Sequence, residues 1–328
     1  MYIERLNNSH IEAAAALVLE KYLEESKSVS VLPLYDNYVN KFGESIRGLL
    51  NQGYGVAAIN DGKLVGFLTG LSVNAFKGLN RGIYCPIYGH AAINDDKRDI
   101  YQRMYESVAE IWVRNGCLTH AITMFAHDRE TIDTWFWNGF GCRCVDAIRP
   151  LTPIIHGCSA ELSVRRIMPE TADIIMPLEI EHAKYYSQSP LFMSVFSLPQ
   201  RNLLVEWLNK DKNYLWAVFE GEIPVAYMKL TEKGETFVGD DPQMLNICSA
   251  YSVERMRGKG VGAFLLSHVV SWLSENGYER CGVDFEAFNR YGSRFWLKHF
   301  EPFTLSLVRR VDERILWANA ARTEGVMF

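Results

Sequence analysis

The stretch Ser252-Val253-Glu254-Arg255-Met256-Arg257-Gly258-Lys259-Gly260-Val261-Gly262-Ala263-Phe264-Leu265-Leu266 sets the reading of the whole chain. A β-rich run over residues 244–253 leads into three glycines within five residues, and these open an apolar helix. Glycine lets a backbone approach a ligand closely and turn its N–H groups inward. The helix start adds the positive end of its dipole, and Arg257 and Lys259 add two full charges. Together they predict a phosphate or pyrophosphate site at a helix N-terminus.

Several known loops share part of this pattern. A Walker loop needs Ser or Thr after Gly-Lys, and Lys259 is followed by Gly260. The dinucleotide pattern G-x-G-x-x-G/A is met in form by Gly258, Gly260 and Ala263, with Asp284 and Glu286 downstream. That motif follows an apolar strand directly, whereas the hydrophilic Glu254-Arg255-Met256-Arg257 intervenes here. A glycine-rich helix start without a ligand is the plain alternative.

The surrounding sequence separates these readings. A strand, Cys281-Gly282-Val283-Asp284-Phe285-Glu286, comes next, followed by Asn289-Arg290-Tyr291-Gly292-Ser293-Arg294-Phe295-Trp296-Leu297-Lys298-His299-Phe300. Arg257-x-x-Gly260-x-Gly262 resembles the (Gln/Arg)-x-x-Gly-x-Gly/Ala signature of the GNAT N-acetyltransferases. The later stretch is similar to that family's N-x-x-A-x-x-(aromatic)-Y-x-x-x-G-F motif. The motifs span about residues 162–310. Gly292 takes the place of the usual Ala, a change expected to be sterically harmless, and His299 that of the usual Gly. Trp296 stands where many members carry a tyrosine that protonates the leaving thiolate, and an indole N–H is no useful acid.

The resemblance implies acetyl transfer from acetyl-CoA to an amine. The pyrophosphate would rest on the amides of Gly258, Lys259, Gly260, Val261, Gly262 and Ala263, beside Arg257. The pantetheine arm would add like a strand to the backbone of Ala250, Tyr251 and Ser252. A backbone N–H of the same strand would polarise the thioester carbonyl. Asn289 matches the motif asparagine and would contact the coenzyme. The attacking amine must lose a proton. Asp284 and Glu286, two residues apart on one strand face, are the catalytic candidates, with a substrate-ammonium pair as the alternative role. Glu254 is a third carboxylate, expected to face solvent. His268 falls on an apolar helical stripe and reads as structural. His127-Asp128 reads as an N-cap pair. Tyr185, Tyr186, Phe192 and Phe196 follow a helix where members of the family build the acceptor pocket, although core packing is the expected use of most aromatics.

An offset of about 160 residues superimposes one half of the chain on the other. Gly55-Val56-Ala57-Ala58-Ile59 and Lys63-Leu64-Val65-Gly66-Phe67-Leu68 flank Asn60-Asp61-Gly62. Leu215-Trp216-Ala217-Val218-Phe219 and Ile223-Pro224-Val225-Ala226-Tyr227-Met228 likewise flank Glu220-Gly221-Glu222. Both are β-hairpins. Trp135-Phe136-Trp137-Asn138-Gly139-Phe140 lies 160 residues before Phe295-Trp296-Leu297-Lys298-His299-Phe300. Long helices are predicted over about 100–115 and 261–276, each ending in Asn-Gly. The expected fold is α/β: two tandem GNAT-like domains, each a mostly antiparallel twisted sheet flanked by helices, over residues 1–155 and 156–328. In the first half, Ile100 and Gln102 stand opposite Gly260 and Gly262, so that domain is expected to be degenerate and without coenzyme.

The chain has 328 residues, 48% hydrophobic and 22% charged, with a net charge of -5. This excludes a disordered chain and a small disulfide scaffold, and it argues against nucleic acid as a partner. No apolar run reaches the ~18 residues of a membrane helix, and the N-terminus lacks a signal-peptide plan. A cytoplasmic protein is expected, acting on acetyl-CoA and a small-molecule amine, with no membrane partner, as a monomer or homodimer. Its seven cysteines read as reduced thiols. Cys142, Cys144, His156 and Cys158 form the only zinc-like cluster; the spacing suits a strand better, so no metal is expected. A non-catalytic acyl-CoA sensor remains the alternative function.

Overall fold

The computed structural model describes residues 1–51, 54–157 and 161–316. Cys158 and residues 317–328 of the expected second domain lie outside them. The chain runs β1 (Tyr2–Arg5), α1 (Ile11–Ser28), α2 (Tyr38–Leu50), β2 (Gly55–Asn60), β3 (Lys63–Thr69), β4 (Leu71–Val73), β5 (Arg81–Cys85) and β6 (His90–Ala92). There follow α3 (Lys97–Arg114), β7 (Cys117–Phe125), α4 (Arg129–Trp137), β8 (Gly141–Pro150), β9 (Leu162–Arg166), α5 (Met176–Ser187) and α6 (Arg201–Leu208). Then come β10 (Tyr214–Glu220), β11 (Ile223–Thr231), β12 (Met244–Ser252), α7 (Val261–Glu275), β13 (Arg280–Glu286), α8 (Arg290–His299) and β14 (Glu301–Arg310). Among the described residues two compact units result: Met1–Ser30, Leu34–Val145 and the stretch from Phe303 on; and Val31–Pro33 with Asp146–Pro302. Each is mixed α/β.

In the second unit the strand order is β9-β10-β11-β12-β13. The first four are antiparallel neighbours, and β13 runs parallel to β12. Alternation along β10 shows how the sheet is covered. Leu215, Ala217 and Phe219 join the core of Ala172, Ile175, Leu178 and Leu204, on and before α5 and α6. Trp216 points the other way, its ring 4.7 Å from His268 and 5.7 Å from Trp272 of α7. A strand buried on both faces reads as a continuous apolar run, as β10 does. His268 is thus packed into the α7 interface, the structural role its stripe implied.

Two irregularities open this sheet. Lys229 faces Ser249 while Leu230 faces Ile247, which leaves Cys248 as a bulged residue in β12. The β12–β13 ladder also ends at Ile247–Val283. From Cys248 to Ser252, β12 continues against β11 alone. Its other edge therefore offers backbone groups that β13 does not take up.

The first unit repeats the plan with differences. The β2–β3 hairpin turns at Asp61 and Gly62, both at positive φ (48° and 74°), as a two-residue type I′ turn requires. In place of one strand like β12 there are two short ones. β5 pairs parallel with β7, and β6 pairs antiparallel with β3. Cys85-Pro86-Ile87-Tyr88-Gly89 separates them, and Pro86 has no N–H to offer a ladder.

The last strand, β14, pairs antiparallel with β7, from Thr304–Phe125 to Arg310–Thr119. The first unit is therefore closed by residues more than 150 positions beyond its other strands. Ending the chain after Pro302 is expected to raise amide exchange in Cys117–Phe125 about tenfold or more, with β10 and β11 unchanged. Hydrogen exchange read by mass spectrometry checks this; unchanged β7 protection contradicts it.

Candidate active site

The glycine turn adopts the form its residues allow. Gly258 and Gly260 sit at φ 74° and 82°, and Gly260 is the N-cap of α7. That region is open to glycine and costly for side-chain-bearing residues. No side chain caps α7. The amides of Val261, Gly262 and Ala263 in its first turn have no intrahelical acceptor. Gly262 serves packing: a Cβ there would lie 3.1 Å from the Phe295 ring. Glu254 is exposed, as expected.

Arg257 is held by several contacts. Its Nε donates to the Ser252 carbonyl at 3.3 Å, and its guanidinium carbon lies 4.8, 5.5 and 5.3 Å from the rings of Tyr185, Tyr251 and Tyr291. A cation among three aromatic faces is fixed and only partly hydrated.

A cavity of about 370 Å³ opens over the turn. Its walls include Ala250, Tyr251 and Ser252 of β12, Arg257, and Gly258 and Gly260 through Ala263 of the turn and α7. Asn289, Phe295, Trp296 and His299 close it from α8 and its cap. Of the residues expected to meet the coenzyme, all but Lys259 line this one space, and Lys259 is exposed.

Asn289 has two tasks. Its Oδ1 accepts from Gly292 N at 3.2 Å, capping α8, and from the Tyr185 hydroxyl at 2.8 Å. A Cβ at position 292 would lie 2.9 Å from Asn289 Nδ2. Glycine there is thus more than the harmless replacement expected from the motif, because alanine would displace the cap. Trp296 is buried and packs against Phe295 and Phe300.

Asp284 and Glu286 share the less buried face of β13, with Val283 and Phe285 on the buried one. Neither lines the cavity. Burial, reinforced by the charges of Asp146, Glu235 and Glu286, pushes the Asp284 carboxyl up to about 7.

Of the four aromatics after the second-half helix start, Tyr185 lines the cavity and Tyr186 packs on His182. Phe192 and Phe196 join neither core nor cavity and are 74% and 98% exposed. The motifs also passed over a cluster on α5 and β11. His182 lines the cavity, stacks on Tyr251 at 5.1 Å and shares a 2.7 Å hydrogen bond between Nδ1 and the Tyr227 hydroxyl. Glu179, one turn earlier, pairs with Lys229 at 2.7 Å. The Glu179-x-x-His182 spacing on a helix was the available signal.

The matching place in the first unit is built differently. With the 160-residue offset Lys97 falls on Arg257, yet α3 already begins at Lys97 while α7 begins at Val261. A helical turn thus stands where the second unit has its glycine turn. Lys97 is buried, with Nζ 2.9 and 2.8 Å from the two oxygens of Asp128. Asp128 also caps α4 through Thr131 N at 3.1 Å, and the neighbouring His127 pairs with Glu25 at 2.7 Å.

Residues 181–300 match the model of the family described as "Acetyltransferase (GNAT) family". The match covers 120 of the 328 residues, less than half of the chain. Among solved structures, a GCN5-related N-acetyltransferase from Sphaerobacter thermophilus is similar over 94% of this chain and 95% of its own, at 13% identity and TM-score 0.58. A GCN5-related glucosamine N-acetyltransferase region in a fungal multi-domain GH3 beta-N-acetylglucosaminidase is similar over 94% of this chain and 38% of that one, at 12% identity and TM-score 0.51. At these identities the likeness is one of fold. No curated protein matches the sequence. Among the described residues no helix is long and apolar enough to cross a membrane.

Proposed function

We propose that the chain is an N-acetyltransferase that moves an acetyl group from acetyl-CoA to the amine of a small molecule. One observation carries this reading: the unfilled amides of α7, the unpaired edge of β12 and the α8 cap face one cavity. A pyrophosphate fits the first by charge and hydrogen bonding. An amide-bearing arm fits the second by strand addition along Ala250, Tyr251 and Ser252. Acetyl-CoA carries both groups and supplies the activated acetyl.

Asp284 and Glu286 would draw the acceptor's ammonium, which relieves the repulsion among these carboxylates. Asp284, titrating near neutrality, can take the first proton the ammonium must lose. The first unit would bind no coenzyme, because its helix starts a turn early and Lys97 already answers Asp128.

Release of free thiol from acetyl-CoA, followed with pooled small primary and secondary amines, tests the reading. Thiol release that depends on an amine is expected. Tight acetyl-CoA binding without turnover would favour the acyl-CoA sensor, which the indole of Trp296 in place of a phenol supports.

A further inference from the structure

We infer that His182 is a catalytic residue of the second unit: its Nε2 takes the proton from the attacking nitrogen, and Glu179 acting through Tyr227 holds the ring in the tautomer this requires. The inference rests on the acetyl-transfer reading and adds a group that the family motifs do not contain.

The hydrogen-bond inventory leads to the tautomer. The Tyr227 hydroxyl has one proton and three neighbours. His182 Nδ1 is at 2.7 Å and Ser249 Oγ at 3.3 Å. Glu179 is the third, and its charge acts on the phenol. Glu179 is only 8% exposed, and its Oε1 is buried with no hydrogen-bond partner among the described residues. A buried carboxylate oxygen is the strongest acceptor of the three. The phenol proton therefore goes to Glu179, and the phenol oxygen accepts from Nδ1–H of His182. A neutral imidazole protonated on Nδ1 carries its lone pair on Nε2. Nε2 has no protein partner among the described residues, and the ring lines the cavity.

Position agrees with the role. His182 stacks on Tyr251, whose backbone is assigned to the donor's arm, and is linked through Tyr227 to Ser249, next to the bulged Cys248. It thus stands where β12 parts from β13. Burial, with the charges of Lys229 and Arg257, lowers the imidazole to about 4, so the lone pair is present at neutral pH.

So weak a base suffices for this step. A nitrogen becomes strongly acidic as its lone pair forms a bond to the acetyl carbon. Its N–H bond breaks, the proton goes to Nε2, and the bonding pair stays on nitrogen. The C–S pair leaves with the thiolate, which can receive that same proton.

Two measurements on the full chain test this. Long-range 1H–15N correlation of the histidine rings, with His182 assigned by its loss in His182→Gln, is expected to show the Nδ1–H tautomer. Glu179→Gln offers the phenol oxygen an amide donor and should shift the proton to Nε2. An Nε2–H tautomer in the wild type overturns the inference. In the thiol-release assay, His182→Gln is expected to lower kcat about 100-fold and Tyr227→Phe about tenfold, with KM for acetyl-CoA within twofold. Wild-type kcat in His182→Gln overturns the role of His182 and leaves acetyl transfer standing. No release by the wild type overturns the acetyl-transfer reading and this role with it. The tautomer is decided either way. Thermal unfolding of each variant separates loss of chemistry from loss of fold.

Discussion

Valine at both position 258 and position 260 is expected to abolish acetyl-CoA binding, with the affinity falling more than 100-fold. Both glycines hold positive φ, 74° and 82°. A β-branched side chain in that region costs about 1–3 kcal/mol per site. The turn would relax toward negative φ and carry the first amides of α7 away from the cavity. The proposed anion site is those amides, so its loss should be nearly complete. The expected stability cost is about 2–6 kcal/mol in all, confined to the second unit. The control is Gly221→Ala, also at positive φ (62°) but in the hairpin turn between β10 and β11, away from the cavity. Isothermal titration with acetyl-CoA, with unfolding followed in parallel, checks both. Unchanged affinity in the double variant would contradict the site.

The second large effect is set by Asp284. Its folded pKa of about 7 lies above the ordinary value of 3.8, so between about pH 4 and 7 the folded protein holds a proton that the unfolded chain has lost. Stability from this group is present in full below pH 4 and is lost as pH rises through 7. The rise from 3.8 to about 7 corresponds to about 4 kcal/mol as an upper figure. Asp284→Asn keeps the shape of the protonated form without its charge. It is expected to raise stability at pH 8 by about 2–4 kcal/mol and to do little at pH 4. In the thiol-release assay the same change should raise KM for a cationic amine about tenfold, because the attraction is gone. Denaturant titrations at the two pH values measure the first effect. Equal stability changes at both would mean that Asp284 is not held near neutrality.

Much of this architecture was legible in the sequence. The hairpins followed from acidic-glycine turns between apolar runs, and the two halves followed from the 160-residue offset. The glycine turn was readable because a rare backbone conformation demands a particular residue, as at Gly258 and Gly260. Three features lay beyond local pattern. The pairing of β14 with β7 joins residues far apart in sequence, and nothing in Phe303-Thr304-Leu305 names its neighbour. The bulge at Cys248 is a fact of register between strands. The meeting of Glu179, Tyr227 and His182 needs α5 packed across the sheet, and each residue alone resembles a surface helix residue or a strand aromatic. The early start of α3 was half visible: the lack of glycine predicted side chains there, but not the buried Lys97–Asp128 pair.

The claim on which the rest depends is that this chain binds acetyl-CoA once, in its second unit. Native mass spectrometry of the full chain with rising acetyl-CoA measures the stoichiometry directly. One molecule per chain is predicted, lost in Gly258→Val/Gly260→Val and kept in Lys97→Met. Two molecules per chain, or one that survives the glycine substitutions, would contradict the account.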